Sequence, residues 1–463
     1  MGSTFGGIEL GKRALQVQKK SLDVTGHNIS NANTEGYSRQ EAIHSTNRPH
    51  TIYNGTGAGQ VGTGVKIDQI RRIRNKFIDG QIREESSAQG RWEMREDALE
   101  QIELVFNEPS ENSLRNVMDE FWGSLQELNN NPESEAVRAT VRQRALSLTD
   151  TFNHLDDQLS DYRLSVNDRI GTKVEDINSY AQRIADLNGQ ISRIESMNQN
   201  PNDLKDKRDL LIEKLSKITS VQTQEASNGS ISVSIEGQAL VWQEKSNKLN
   251  LEKDPSNNNL MQIKWSNNDS KAEFSDGEIK GLLETRDEEI PKYIEQLDKM
   301  AGKMVNEFNK IHENGYGLDN STGIKFLEGS TAKGIDVTDA IKNDLNKIAT
   351  AENPDSPGDG SVALKLAQLG DEKVFSSKTA TFANYYGSNI AKLGVDSQRA
   401  KRMVDNQEVL TRQLNKQRDS VSGVSLDEEM AKMIQYQHSY TAAAKFVSTM
   451  DEMLGVLVNG IKR

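Results

Sequence analysis

Both ends of this 463-residue chain carry apolar residues at a strict seven-residue spacing, the pattern of a helix that offers a continuous seam. Ile8, Leu15, Leu22 and Ile29 hold it near the start. Leu426, Met433, Tyr440, Val447, Leu454 and Ile461 hold it near the end, with Tyr436, Ala443, Met450 and Leu457 in the intervening positions. A second stripe, Leu10, Val17 and Val24, lies about 200° around the first helix, so that helix needs neighbours on two sides. Ser425, with Glu428 three residues on, is a reciprocal capping box that opens the last helix. A lone pair of such helices leaves one stripe unfilled. The spacing therefore predicts an assembly seam completed by further copies or partner subunits.

Between the ends the texture changes twice. Tyr37 to Gln69 is polar and glycine-rich and predicts an extended arm with one short strand at Val65, Ile67 and Ile70. Helical patterning then runs from Arg71 to Asn107, from Asn112 to Leu128, from Glu133 to Met197 and from Asp203 to Ile218. In 219–276 the alternation of Ile231, Val233 and Ile235 with Ser232, Ser234 and Glu236, and the turns Asn228-Gly229 and Glu236-Gly237, predict a small β-rich domain. Helix returns over Gly277 to His312 and Ser388 to Val421, around a mixed region at 324–387. The expected fold is mainly α with a smaller β-rich domain. Residues 1–70 and 425–463 form an inner unit with coiled-coil-like terminal helices, and 71–218, 277–323 and 388–424 form a long-helix bundle. The small β-rich domain lies outside, and 324–387 attaches to either.

Composition removes several functions. Hydrophobic residues are 34% and aromatics 5%, thin for packing throughout. The net charge of -12 opposes nucleic acid and anionic lipid as partners, because both need a positive field. The absence of cysteine excludes disulfides, thiolate metal sites and cysteine nucleophiles. No apolar stretch reaches the roughly 18 residues of a membrane span, and Met1 to Leu10 does not resemble an ordinary cleaved signal.

Motifs with chemical potential do not survive their context. Gly57-Ala58-Gly59-Gln60-Val61-Gly62 matches a dinucleotide fingerprint literally, but a strand pattern follows it where a helix should start, so no cofactor is expected. Histidines 27, 44, 50, 154, 312 and 438 lack the helical i, i+4 spacing of a metal pair; His44 and His50 read as solvated loop residues, and no metal is expected. Asp156-Asp157 and Glu428-Glu429 diverge by about 100° on helices and read as solvated charges, so no catalytic pair is expected. Asp319 to Gly323 lacks the position-12 acid of a calcium loop and reads as a turn.

The run His27-Asn28-Ile29-Ser30-Asn31-Ala32-Asn33-Thr34-Glu35-Gly36-Tyr37-Ser38-Arg39-Gln40 resembles the N-terminal signature of bacterial flagellar axial proteins, the rod, hook and hook-associated subunits. Val424 to Met430, Tyr436-Gln437 and Tyr440 to Ala444 resemble the C-terminal signature of the same family. Gly36 to Gln40, Gly281 to Asp287 and Ile311 to Gly317 are most similar to the hook-associated members that join hook to filament. The resemblance marks Asn28, Ser30, Asn31, Asn33, Thr34, Gly36 and Tyr37 as signature residues. It implies a non-enzymatic structural adaptor at the hook-filament junction, outside the cell, assembled as a homo-oligomeric ring. The hook protein lies on one side and the second junction protein and filament on the other. It also implies type III export, with a cytoplasmic chaperone at the C-terminal helix. Larger relatives carry a further outer domain for which this chain has too few residues. A distal rod or hook subunit is the nearest alternative, and a rod-associated peptidoglycan hydrolase a remote one.

Overall fold

The structure, a computed structural model, describes residues 6–54, 57–107, 110, 113–375 and 378–460. Helix α1 (Gly6–Ser30) leads into an arm of four strands, β1 (Gln40–Thr46), β2 (His50–Asn54), β3 (Gly57–Val61) and β4 (Val65–Arg72). β1 and β4 pair antiparallel from Gln40 opposite Arg72 to Thr46 opposite Val65, with an irregularity at Ile43/His44. β2 and β3 continue outward as a second antiparallel hairpin. The expected extended arm with one strand is thus corrected to two stacked hairpins. β1 escaped notice because its mostly polar residues show no clean alternation of buried and exposed positions. The glycine fingerprint supplies β3.

Four helices follow, α2 (Lys76–Phe106), α3 (Leu114–Asn130), α4 (Glu135–Glu195) and α5 (Asn202–Ile218). Their starts are set locally: the Asn75 side chain accepts from the Phe77 and Ile78 amides, Ser113 from Asn116 and Ser134 from Val137. α2 stops where Asn107 takes φ 46°, the left-handed cap that asparagine tolerates best after glycine. The 61-residue α4 is the spine. It buries Val141, Ala145, Leu148, Phe152, Leu155, Leu159, Val166, Ile170, Val174, Ile177, Ala181 and Ile184, three or four residues apart except across 159–166, on one face.

The β-rich segment lies along that spine. Strands β5 (Gln222–Glu225), β6 (Ile231–Ile235), β7 (Gln238–Trp242) and β8 (Lys245–Ser246) make an antiparallel sheet in chain order, and β9 (Leu249–Asp254) pairs with β10 (Leu260–Trp265). Three asparagines of α4, ten or eleven residues apart and so on one face, hold this segment by its backbone. Asn167 accepts from Met261 N, Asn178 exchanges bonds with Leu249, and Asn188 accepts from Ile231 N while donating to Ile231 O and Gln243 O.

Helix α6 (Glu278–Glu284) runs through a π-helical turn at Thr285–Glu289 into α7 (Ile290–His312). The expected helix over Gly277 to His312 is present, from Glu278 to His312, with the π-helical turn as a local widening inside it. The widened turn directs the buried Arg286 to Asn167 Oδ1 and Met261 O, and Pro291 begins the next helix. Short elements β11 (Leu327–Glu328), β12 (Asp336–Val337), α8 (Asp339–Asn343) and α9 (Ser361–Gln368) precede α10 (Phe382–Ser422) and α11 (Leu426–Gly460).

One continuous cluster of buried apolar residues runs from Leu99 to Ala400 and draws on α2 to α10. Among the described residues none of its members lies on α1, the arm or α11. Those three pack on one another as a separate unit. α10 returns along α2, with the Phe106 and Tyr386 rings 6.3 Å apart at one end, and brings the chain back to the arm.

Candidate functional site at the neck

The segment between α1 and β1 joins the terminal unit to the bundle. Asn28 is buried, and its amide makes all four bonds available to it. Its Nδ2 donates to Gln40 O and to Glu429 Oε2, both at 2.9 Å; its Oδ1 accepts from Tyr37 Oη at 2.8 Å and Gln40 N at 2.9 Å. One side chain therefore ties α1 to the arm and to α11. Glu429 is 1% exposed and also pairs with Lys432 at 2.9 Å, whereas its neighbour Glu428 is exposed and takes Arg39 at 2.8 Å. The expected solvation of Glu428-Glu429 is corrected for Glu429, because Asn28 and Lys432 supply what water would. Asp156 of the other pair is likewise buried and bonded to Ser160.

The rest of the signature shapes the turn. Ser30 back-bonds to Gly26 O, Asn31 caps the helix through His27 O, and Thr34 bonds Asn31 Oδ1. Gly36 has φ +77° and a Cβ there would press on Leu210, so glycine is required for both reasons. Asn33 is exposed at the turn, outside the bonded cluster. Burial pushes the Tyr37 phenol up, reinforced by Asp203, Asp206 and Glu429, so it stays a neutral donor.

The bundle answers with three aspartates at three-residue spacing on α5. Asp203 takes Gln40 Nε2 at 2.8 Å and His27 at 3.3 Å. Asp206 takes Ser38 N, Ser38 Oγ and Arg72 at 2.7 Å; Asp209 takes both Arg72 and Arg74 at 2.9 Å. Burial raises the Asp206 carboxyl above its ordinary value, with Arg72 and Ser38 opposing it. Arg39 N closes the ring onto Ser422 O at the end of α10. This aspartate rack escaped the sequence reading. Its signal was Asp-x-x-Asp-x-x-Asp on one helix and Arg71-Arg72 with Arg74 in the arm.

The seam residues fall in three places. Ile8, Leu15, Leu22 and Ile29 are half-buried, while Val17 and Val24 of the other stripe are buried on the arm side and Leu10 packs on Gly64. Met433, Val447 and Leu454 are half-buried, Leu426 and Tyr440 are exposed, and Ile461 lies outside the described residues. The close approach of α1 to α11 uses glycines that the heptads concealed: a Cβ on Gly7 would collide with Met450, and one on Gly11 with Val447 and Phe446. His44 also departs from expectation. Exposed as predicted, it nonetheless bonds the buried Ser21 at 2.8 Å and sits beside Tyr436 of α11. On its outer faces α11 exposes Leu426, Met430 and Ile434 four residues apart, and Phe446, Met453, Val456 and Leu457 farther along; Met453 is 60% and Val456 74% exposed. Ser425 caps α11 through Glu428 N, and the Glu428 carboxylate is held by Arg39.

No group of His, Asp and Glu suited to a metal is found among the described residues, and no helix there is long and apolar enough to cross a membrane.

Comparison with known proteins gives the same picture from another direction. Residues 99–327 match the family model for the helical domain of flagellar hook-associated protein FlgK. Residues 8–37 match that for flagella basal body rod proteins, and 416–460 that for the C-terminal region of basal body rod FlgEFG proteins. Flagellar hook-associated protein 1 of Bacillus subtilis (strain 168) is 33% identical over 100% of this chain and 99% of its own length. The proteins of that name from Escherichia coli (strain K12) and Salmonella typhimurium are each 26% identical, over 96% of this chain and 98% of theirs. The structure of the flagellar hook junction protein FlgK from Burkholderia pseudomallei superposes with a TM-score of 0.64 at 16% identity, covering 74% of this chain and 100% of that one, a likeness of fold. With a relative this similar along its whole length, the chain belongs to the flagellar hook-associated protein 1 family.

Proposed function

We propose that this protein is a non-enzymatic structural adaptor, assembled as a ring on the flagellar hook, that seats the second junction protein and the filament. The observation that carries the reading is the outward face of α11, where Leu426, Met430, Ile434, Met453 and Val456 stand exposed on a helix whose other side is already taken by α1. A soluble chain rarely keeps such a row uncovered, and neighbouring copies bury it in this account. α1 and α11 then form the inner wall of a tube, the bundle its middle layer, and the β-rich segment at 222–265 its outside. The seam residues Ile8, Leu15, Leu22, Ile29, Leu426, Met433, Tyr440, Val447, Leu454 and Ile461 are proposed contacts between copies. Export by the flagellar type III route, with a chaperone covering the C-terminal helix until assembly, suits a cysteine-free chain whose last helix is apolar on several faces. The location is then extracellular, at the junction of hook and filament.

A distal rod or hook subunit would need a mostly β middle, and the long helices α2, α4, α7 and α10 that build this one favour the junction reading. A wall hydrolase would need an acid in a cleft; Asp156 and Glu429 are instead held by Ser160 and by Asn28 with Lys432. Deleting 426–463 tests the reading in cells. Filament subunits should appear in the medium, filaments should be lost, and the truncated protein should remain largely folded over 99–400. Retained swimming and filament number would overturn it.

A further inference from the structure

Far from the neck, the segment 345–351 crosses between two buried basic side chains. His312, the last residue of α7, is 1% exposed. Its Nδ1 is 2.7 Å from Ile324 O, and its Nε2 accepts from Ala349 N at 2.9 Å. A carbonyl can only accept and an amide N–H can only donate, so the pair of bonds fixes a neutral ring with the proton on Nδ1. On the other side Arg138 of α4 is fully buried. It donates to Pro132 O at 2.7 Å, Leu345 O at 3.2 Å, Ile348 O at 2.7 Å and Thr350 Oγ1 at 3.0 Å. No carboxylate lies within ion-pair distance of it among the described residues.

From these contacts we propose that 345–351 is an acid-released strap: protonation of His312 frees it and opens the region between α7 and α10. Protonation turns Nε2 into a donor facing the Ala349 N–H, so that bond is lost. It also places a second cation in a pocket where Arg138 already has only carbonyls and a hydroxyl as partners. Arg138 is the charged group of α4 that acts on the ring. The Phe308 ring lies nearly parallel to the imidazole at 6.4 Å and the Phe326 ring meets it in a T-shaped contact at 5.2 Å, while Ile324 and Ala349 reach it through backbone. The charges flanking these elements are Lys310 on α7, Glu313 just past its end, and Lys325 and Lys347 beside the segments that meet the ring; Asp319 acts on Arg138. Release spreads because the strap anchors others. Tyr316 exchanges bonds with Thr350 and Ala351, Leu318 N donates to Asn346 O, and Val362 N at the start of α9 donates to Thr350 O.

Burial holds His312 at about 4 against its ordinary 6.5. A lowered value in the folded state means the strap is fully stabilised above pH 6.5 and loses that stability as pH falls towards 4. Between pH 6.5 and 4.5 the free-energy change corresponds to a factor of several tens in the opening equilibrium.

The test is amide exchange of the full chain from pH 7 to 4.5, corrected for the intrinsic rate, in the wild type and in His312→Gln. Glutamine can donate through its amide nitrogen and accept through its amide oxygen, and it does not titrate. Protection of 345–351 and 316–318 should fall more than tenfold in the wild type, hold steady in the variant, and stay unchanged for 166–185 in both. Equal loss in the two proteins, or no loss in the wild type, would overturn the proposal. Should the variant fail to fold, ring-nitrogen NMR of the wild type decides. A neutral Nδ1-protonated ring persisting to pH 5 supports the strap, and an ordinary titration near 6.5 with protection intact overturns it.

Discussion

Replacing Asn28 by alanine removes two donors and two acceptors from the one side chain that joins α1, the arm and α11. It leaves Tyr37 Oη, Gln40 N, Gln40 O and Glu429 Oε2 without the partner each has now. A buried polar group stripped of its partner costs about 1–3 kcal/mol, and the clefts on either side of the neck admit water that relieves part of that. Lys432 continues to neutralise Glu429. The net loss should be about 3 kcal/mol, roughly a 150-fold shift, confined to the terminal unit because no described residue of that unit belongs to the bundle's apolar cluster. Amide exchange read by mass spectrometry on the isolated chain should show α1 and α11 opening about a hundredfold more often, with Val166 to Ala185 unchanged. A change below about 1 kcal/mol would refute the reasoning that the saturated amide organises the neck, and so would equal loosening of the bundle. Asn28→Asp sharpens the contrast. It keeps acceptors for Tyr37 and Gln40 but sets a carboxylate against Glu429, so it should destabilise more at pH 7 than at pH 4.

Two further perturbations separate the layers of the account. Neutralising the rack with Asp206→Asn and Asp209→Asn should leave both units folded and free the angle between them, because the arm reaches α5 mainly through charged contacts. Spin labels on Gln16→Cys and Glu175→Cys in this cysteine-free chain should give a broader distance distribution than in the parent, and an unchanged one would contradict the latch. Met453→Lys with Val456→Glu alters only exposed positions, so thermal stability of the isolated chain should stay within about 0.5 kcal/mol while swimming is lost. Normal motility would show that this face of α11 is not a contact.

How much of this could be read from residues alone depends on how local each feature is. The long helices were legible because a single segment carries its own evidence: the buried stripe of α4, the Ser425 cap, the asparagine and proline breaks between helices. The terminal heptads were legible for the same reason, yet they drew attention to Ile8 and Leu15 and away from Gly7 and Gly11, where α11 enters. A missing side chain leaves no periodicity. Non-local polar networks were the main loss. Glu429 looked like a helix-start charge because nothing near it in sequence reveals that Asn28, 401 residues away, meets its carboxylate. The three aspartates of α5 looked like ordinary surface charge until the arm's arginines arrived opposite them. β1 was hidden by its polarity, and the π-turn by an uninterrupted helical pattern through Arg286. The signature residues were found by resemblance; their reasons, a saturated amide at Asn28 and a positive φ at Gly36, came from the geometry.

The central claim is that the chain ends are completed by neighbouring copies, and the most direct measurement compares amide exchange of α1 and α11 in the isolated chain and in purified hook-filament junctions. The account predicts that 8–29 and 426–454 exchange faster than 166–185 in the isolated chain while keeping the protection that Asn28 supplies, and that both terminal segments slow strongly in the junction. Terminal helices as protected in dilute solution as the bundle, with no change on assembly, would contradict it.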